Sequence, residues 1–214
     1  MRKLFITAIL IFLFFNVGFT QVNLGLKFSP TFVVNRLTEQ SGTANASKGG
    51  TGFTAEFGLI TDFGFDEEEK YFFSTGLLYL SKSVKLNVSE EFAGNFSNDY
   101  NIQYLRLPAT LKMKTNEIAL DKRLYFQIGG NFDFKVHDKS DQENNQVINK
   151  FRPIDISFVF GTGIEFKLGT TTTFFAGLNY NHGLINAVKS TDAAFFDKLI
   201  VKNNSIGIDF GLRF

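Results

Sequence analysis

The sequence predicts an all-β fold, an eight-stranded antiparallel transmembrane up-and-down β-barrel built from residues 21–214. Three observations predict it. Eight stretches alternate apolar and polar residues with a period of two, which gives a strand one apolar and one polar face. An export-type segment precedes them, and the last alternating run closes on Phe214. Repeated alternation behind an export signal is the pattern of a small outer-membrane barrel. The 28 Phe and only 3 Pro among 214 residues suit such strands.

Residues 1–20 read as a signal peptide outside the fold. Arg2 and Lys3 form a charged n-region, and Leu4–Phe15 an apolar h-region broken only by Thr7. Gly18 and Thr20 supply small residues ahead of a cleavage site before Gln21. The apolar run is shorter than the roughly 20 residues of a spanning helix, and a retained N-terminal anchor is the competing reading. With no cysteine, the chain has neither a lipoprotein anchor nor a disulfide framework. Removing Arg2 and Lys3 takes 22 basic residues to 20 against 21 acidic, a net charge near −1. That balance argues against nucleic acid as a partner, because phosphate binding needs a basic surplus.

The first strand is expected over Val22–Val34, with Val22, Leu24, Leu26, Phe28 and Phe32 opposed to Asn23, Lys27 and Ser29. The second, Gly52–Phe63, sets Phe53, Ala55, Phe57, Leu59 and Phe63 against Thr54, Glu56 and Asp62. The third, Tyr71–Leu86, leaves its register open, since Leu77 and Leu78 are adjacent and both faces carry aromatics or leucines. The fourth, Tyr100–Lys114, sets Leu105, Leu107, Leu111 and Met113 against Tyr104, Arg106, Thr110 and Lys112. The fifth, Arg123–Val136, is the clearest: Leu124, Phe126, Ile128, Phe132 and Phe134 alternate with Tyr125, Gln127, Asn131, Asp133 and Lys135. Ile154–Leu168, Thr172–Leu184 and Lys202–Phe214 complete the set with the same alternation.

The connections alternate in length. Gly64–Lys70, Thr115–Lys122 and Gly169–Thr171 are short, whereas Asn35–Gly50, Asn87–Asp99, Asp138–Arg152 and Ile185–Val201 are long and polar. Short periplasmic turns and long extracellular loops produce this asymmetry, and an even strand number then puts both termini in the periplasm. The long stretches are expected to be solvated and mobile. The exception is Ala193–Ile200, apolar enough to fold over the barrel mouth or to touch a partner.

Alternation alone does not say which face meets lipid, since a soluble lipocalin-like barrel alternates with its apolar face inside. The charges favour the membrane reading. The third strand aside, the polar faces hold Lys27, Arg106, Lys112, Lys135, Lys167 and Arg213 beside Glu56, Asp62, Asp133, Asp155, Glu165 and Asp209, and the apolar faces hold none. A charge in mid-bilayer lipid costs about 2–4 kcal/mol. The polar face also carries small residues such as Gly129, Gly161, Gly163 and Gly207. A narrow barrel has little interior room, so a plug of paired charges is expected in place of an open channel. The terminal Phe214 fits the insertion signal read by the outer-membrane barrel assembly machinery.

Two segments carry a family resemblance: Ser74-Thr75-Gly76-Leu77-Leu78-Tyr79, and Tyr104-Leu105-Arg106-Leu107-Pro108-Ala109-Thr110-Leu111-Lys112. Together they resemble the Gly-Leu-x-Tyr and Tyr-Leu-x-(apolar)-Pro-x-x-(apolar)-Lys stretches of the PorT-type outer-membrane β-barrel proteins of Bacteroidetes. This chain departs from that pattern in carrying Arg106 where the family often has Glu. Pro108 requires a bulge or strand irregularity, because it cannot donate to the ladder. The resemblance implies an outer-membrane barrel; the family's namesake acts in type IX protein secretion, and most members have no assigned role.

No catalytic site is expected, and no metal or cofactor. His137-Asp138-Lys139-Ser140 has the residue types of a hydrolytic triad, but neighbours on a strand point to opposite faces. His182 sits on the lipid-side parity, two scattered histidines without cysteine make no metal spacing, and Asp66-Glu67-Glu68-Glu69 reads as a solvated turn. The leading expectation is a structural or interaction barrel of the cell envelope, contacting outer-membrane lipid and envelope or secretion proteins. The alternative is a narrow pore or small-ligand binder that uses lumen residues Arg106, Asp133 and Asp155; a lipid-modifying enzyme comes third.

Overall fold

A computed structural model describes residues 21–92, 94–140 and 146–214, so the expected signal peptide lies outside the described residues. The strands are β1 (Gln21–Ser41), β2 (Asn45–Lys48), β3 (Thr51–Gly64), β4 (Tyr71–Glu90), β5 (Gly94–Lys114), β6 (Lys122–Ser140), β7 (Ile148–Phe151), β8 (Ile154–Lys167), β9 (Thr173–Gly183), β10 (Val188–Thr191) and β11 (Lys198–Arg213). Eight of them, all but β2, β7 and β10, close into an antiparallel ring in which chain neighbours pair, and β1 meets β11. The expected up-and-down barrel is therefore the fold. Among the described residues no helix is long and apolar enough to cross a membrane, so the strands are the spanning elements.

The three short turns, between β3 and β4, β5 and β6, and β8 and β9, lie at one end of the barrel. Gln21 pairs with Gly64 there, and the Phe214 amide donates to the Leu24 carbonyl (2.7 Å). Above that end, Leu24, Leu26, Phe28 and Phe32 of β1, Phe57 and Leu59 of β3, Leu111 of β5 and Phe160 of β8 are exposed on the outside. Along β1 this apolar row runs from Val22 to Val34. Thirteen residues of tilted strand rise about 30 Å, enough to cover the roughly 25 Å lipid-facing band of such barrels. A soluble barrel would turn these side chains inward; here they point outward and the charges point inward.

The interior has two tiers. Near the short turns it is polar and charged. Toward the long-loop end it becomes an apolar core of Leu80, Val84, Leu86, Val88, Tyr100, Ile102, Tyr104, Val147, Ile148, Phe151, Val188, Phe196, Leu199 and Val201. The apolar parity thus inverts along a strand. In β4, Tyr71, Phe73, Leu77 and Tyr79 face out, while Leu80, Val84, Leu86 and Val88 face in. This inversion settles the open register of the third expected strand, with Leu77 outside and Leu78 inside.

Four expectations need correction. Asn87–Asp99 is not a loop: β4 and β5 pair continuously from Lys85↔Asp99 to Glu90↔Gly94. Asn35–Gly50, Asp138–Arg152 and Ile185–Val201 likewise contain ordered strand, and all three supply the core, with Ala44 from the first, Val147, Ile148 and Phe151 from the second, and Ala187, Phe196 and Leu199 from the third. Lys135 is not in the charged plug, because it lies at the rim and donates to Asp138 (2.8 Å) and the Phe151 carbonyl (3.3 Å). Lys167 is exposed beyond the last ion pair, at the short-turn end.

Pro108 does sit at an irregularity. The β4–β5 ladder lapses between Ser74↔Thr110 and Leu78↔Arg106, then resumes in the same register. A missing donor produces a gap of this kind without an inserted residue. The register shift of β5 lies elsewhere, between Gln103 and Tyr104 opposite β6.

Candidate functional site: the charged lumen

Two layers of ion pairs cross the barrel interior. In the layer nearer the short turns, Lys112 meets Asp62 at 2.7 Å and Arg213 Nε lies 2.9 Å from the same carboxylate. Arg213 Nη1 also pairs with Glu165, Lys114 reaches Glu165 at 3.1 Å, and the Ser74 hydroxyl donates to Asp62. The second layer joins Lys27 to Glu56 (2.9 Å) and Asp209 (3.1 Å), and Arg106 to Glu56 (2.6 Å) and Asp133 (2.6 Å). Lys82 bridges Asp133 (2.7 Å) and Asp155 (2.8 Å). Neutral amides extend it, with Asn203 donating to Asp155 (3.0 Å) and Asn179 to Asp209 (2.6 Å).

The structure brings Arg106, Asp133 and Asp155 together. Arg106 and Asp133 face each other across β5 and β6, as do Asp133 and Asp155 across β6 and β8. The guanidinium donates to Asp133 through both Nε and Nη2, the two-point geometry that suits arginine to a carboxylate. The plug contains six basic and six acidic side chains, with Lys82 and Lys114 where Lys135 and Lys167 were expected. Lys82 escapes sequence reasoning because its strand is apolar on both faces. The signal that could have found it is its position six residues after Gly76, on the inward parity of Leu78 and Leu80.

Aromatic side chains fill what the charges leave. Arg213 stacks over Phe175 at 4.3 Å and Lys82 over Tyr104 at 5.0 Å, both arrangements that favour a cation on a ring face. Tyr125 and Phe175 meet edge to face at 6.4 Å. Tyr125 fits only because Gly163 and Gly177 lie under its ring and hydroxyl, where a Cβ would collide with it. Between the layers remains a cavity of about 40 Å³ bordered by Lys27, Asp62, Arg106, Lys112, Tyr125 and Arg213. That holds a water or two, far from the bore of a channel.

Above the charges the apolar core forms a second closure. Phe196 is buried within it, its amide donating to Asp192 O (2.9 Å), while Phe195 packs edge-on against Phe96 at 5.5 Å. Of the two alternatives open for Ala193–Ile200, the segment folds over the barrel mouth. Tyr100 Oη accepts from the Ile148 amide (3.0 Å), and burial pushes the Tyr100 hydroxyl pKa up. His137, Asp138, Lys139 and Ser140 pair in order with Gln103, Ile102, Asn101 and Tyr100 of β5, and Lys135 holds Asp138. No group of three or more His, Asp or Glu among the described residues is arranged around a metal position.

A closed ring of eight strands with charges inside and an apolar band outside can be matched to known families. The family model described as outer membrane protein beta-barrel domain matches residues 14–189. The chain belongs to this outer-membrane β-barrel family. Its place is accordingly the bacterial outer membrane. Among solved structures, the outer membrane protein OprG from Pseudomonas aeruginosa is similar with a TM-score of 0.60 and 12% identity, over 90% of this chain and 95% of that one. Neisserial surface protein A is similar with a TM-score of 0.51 and 11% identity, again over 90% and 95%. At such identities these likenesses establish the shared barrel fold alone. No curated protein sequence matches the chain.

Proposed function

We propose that this protein is a closed structural and interaction barrel of the cell envelope, with its short-turn end in the periplasm and its long-loop end outside. The observation that carries this reading is the double closure of the lumen: two ion-pair layers below and an apolar core above. Each of the twelve charges in the two layers has an oppositely charged partner, so none of them is left unpaired to hold a permeant solute. The surfaces left for molecular work are the lipid band, the short turns and the rim. Planar-bilayer recording on the purified protein tests this. Absence of conductance above background is expected, and a stable open level would overturn the closed reading in favour of the narrow pore.

A finer reading, an accessory role in protein secretion of the PorT type, draws on the placement of the resembling segments. Ser74 to Tyr79 and Tyr104 to Lys112 lie face to face, with Leu78 opposite Arg106 and Tyr79 opposite Leu105. The two halves of the motif are thus one patch of barrel wall. Deleting the gene and comparing secreted protein profiles tests it; an unchanged profile removes it. We further infer that residues 1–20 are a cleaved signal peptide, which N-terminal sequencing of the membrane-inserted protein tests: Gln21 as first residue is expected, and Met1 would establish the retained anchor.

A further inference from the structure

The outward rows of β1, β9 and β11 are apolar along the band and carry basic side chains above it. Val34, Tyr180 and Ile206 are the last exposed apolar members; Arg36 and His182 follow directly on β1 and β9, and Lys202 follows Ile206 after the intervening Asn204 on β11. Arg36 and Lys202 occupy directly opposed positions on β1 and β11. Like charges so placed repel each other. Among the described residues no ion pair neutralises either one, and the nearby Glu39 is held by Lys198 at 2.6 Å. On β3, β4 and β5 the outward positions at the top of the band are Thr51, Ser81 and Gln103, all uncharged.

Hydrogen bonds set the geometry of this cluster. Arg36 Nη1 donates to His182 Nε2 (3.2 Å), and Nη2 donates to the Gly183 carbonyl (3.3 Å). A guanidinium cannot accept, so Nε2 is the acceptor of this bond and Nδ1 is the ring nitrogen that carries hydrogen. Nδ1–H then donates to Tyr180 Oη (3.1 Å), leaving the phenol hydrogen free to point outward. The result is two unneutralised cations and an unspent O–H donor at the height where headgroups meet the acyl band.

We propose that Arg36, Lys202 and Tyr180 form a binding site for the phosphate group of a lipid in the outer leaflet. Opposed cations that destabilise each other in the bare protein become a two-point clamp once a phosphate lies between them. The Tyr180 ring packs beside the acyl chains while its hydroxyl reaches the headgroup, the ordinary use of tyrosine at a membrane interface. The leaflet rests on the orientation proposed above. The binding site does not, so an inverted barrel would move the lipid to the other leaflet without removing it.

The test is native mass spectrometry of the full protein folded in detergent, titrated separately with phosphatidic acid, phosphatidylcholine and inorganic phosphate. Phosphatidic acid should be retained in preference to phosphatidylcholine. Arg36→Gln with Lys202→Gln should weaken its retention about thirtyfold, about fivefold for each cation near the surface. Slower migration on boiling, in gels of both proteins, verifies that the variant is folded. If the double variant does not fold, Lys202→Gln alone should still give about a fivefold loss. Unchanged retention in the folded variant would overturn the site. Displacement of the lipid by an equal concentration of inorganic phosphate would overturn its lipid character and leave a free-anion site.

Discussion

Asp133 and Asp155 stand directly opposite each other on β6 and β8, both buried, and a single ammonium, that of Lys82, lies 2.7 and 2.8 Å from them. Two carboxylates facing each other inside a barrel repel strongly unless a cation sits between them. Arg106 adds a second cation on the Asp133 side and Asn203 an amide on the Asp155 side. The β6–β8 contact at this height therefore depends on a residue from β4, a strand that pairs with neither.

Replacing Lys82 by Met should be among the most damaging single changes in the lumen. It leaves two buried carboxylates short of their shared partner, and breaking a buried pair costs about 3–5 kcal/mol. Urea unfolding in lipid vesicles measures this. Lys167→Met, at an exposed position, should stay within about 0.5 kcal/mol of the parent. Comparable losses in the two variants would refute the role given to Lys82.

Charge neutralisation of the whole cluster should recover much of that loss. The triple variant Lys82→Met, Asp133→Asn, Asp155→Asn removes the ammonium and both carboxylates but leaves Arg106 its Glu56 partner. Buried ion pairs replaced together are often near neutral in stability, because the desolvation of the charges is relieved with their attraction. The triple variant should therefore be more stable than Lys82→Met alone, by the same urea assay. A triple variant less stable than the single one would mean that the polar geometry, and not charge balance, holds the strands.

Within the lipid band the pattern of the chain was sufficient to read the fold. β6 and β8 alternate without interruption, and their inward charges, Asp133, Asp155 and Glu165, are where alternation puts them. Above the band the environment reverses, with water outside and packed core inside. Asn87, Ser89, Asn95 and Ser97 of the β4–β5 hairpin then look like loop residues because their outward face is solvated, while Leu86, Val88 and Tyr100 carry the strand from inside. Strand β4 crosses the reversal midway and so shows apolar residues on both parities, which hid Lys82. Arg106, Asp133 and Asp155 could be named from polarity, but their mutual contacts depend on ring closure, which no local pattern encodes.

The apolar core at the long-loop end should be part of the cooperative fold and not a loose cap. Phe196→Ala removes a side chain with 0% exposure from it, and deletions of buried Phe cost about 3–5 kcal/mol. The same change should open residues 185–201 to protease in membrane-inserted protein, while cleavage at the 65–70 turn stays unchanged. If the segment remained resistant, its order would have to come from the strand pairing of β7 with β10 instead.

The orientation of the barrel can be read from the two ends of its most exposed apolar residues. Phe92, 94% exposed, caps the β4–β5 hairpin at the long-loop end, and Leu120, 85% exposed, lies in the short turn between β5 and β6. The sequence has no cysteine, so a single cysteine at either place is a unique label. On intact cells a membrane-impermeant maleimide should react with Phe92→Cys and not with Leu120→Cys, and permeabilisation should make the second reactive. The physical ground is that outer-membrane barrels carry short turns on the periplasmic side and longer connections on the extracellular side. The reverse labelling pattern would turn the barrel over, carrying the apolar core to the periplasmic side and the basic sector of β1, β9 and β11 to the inner leaflet.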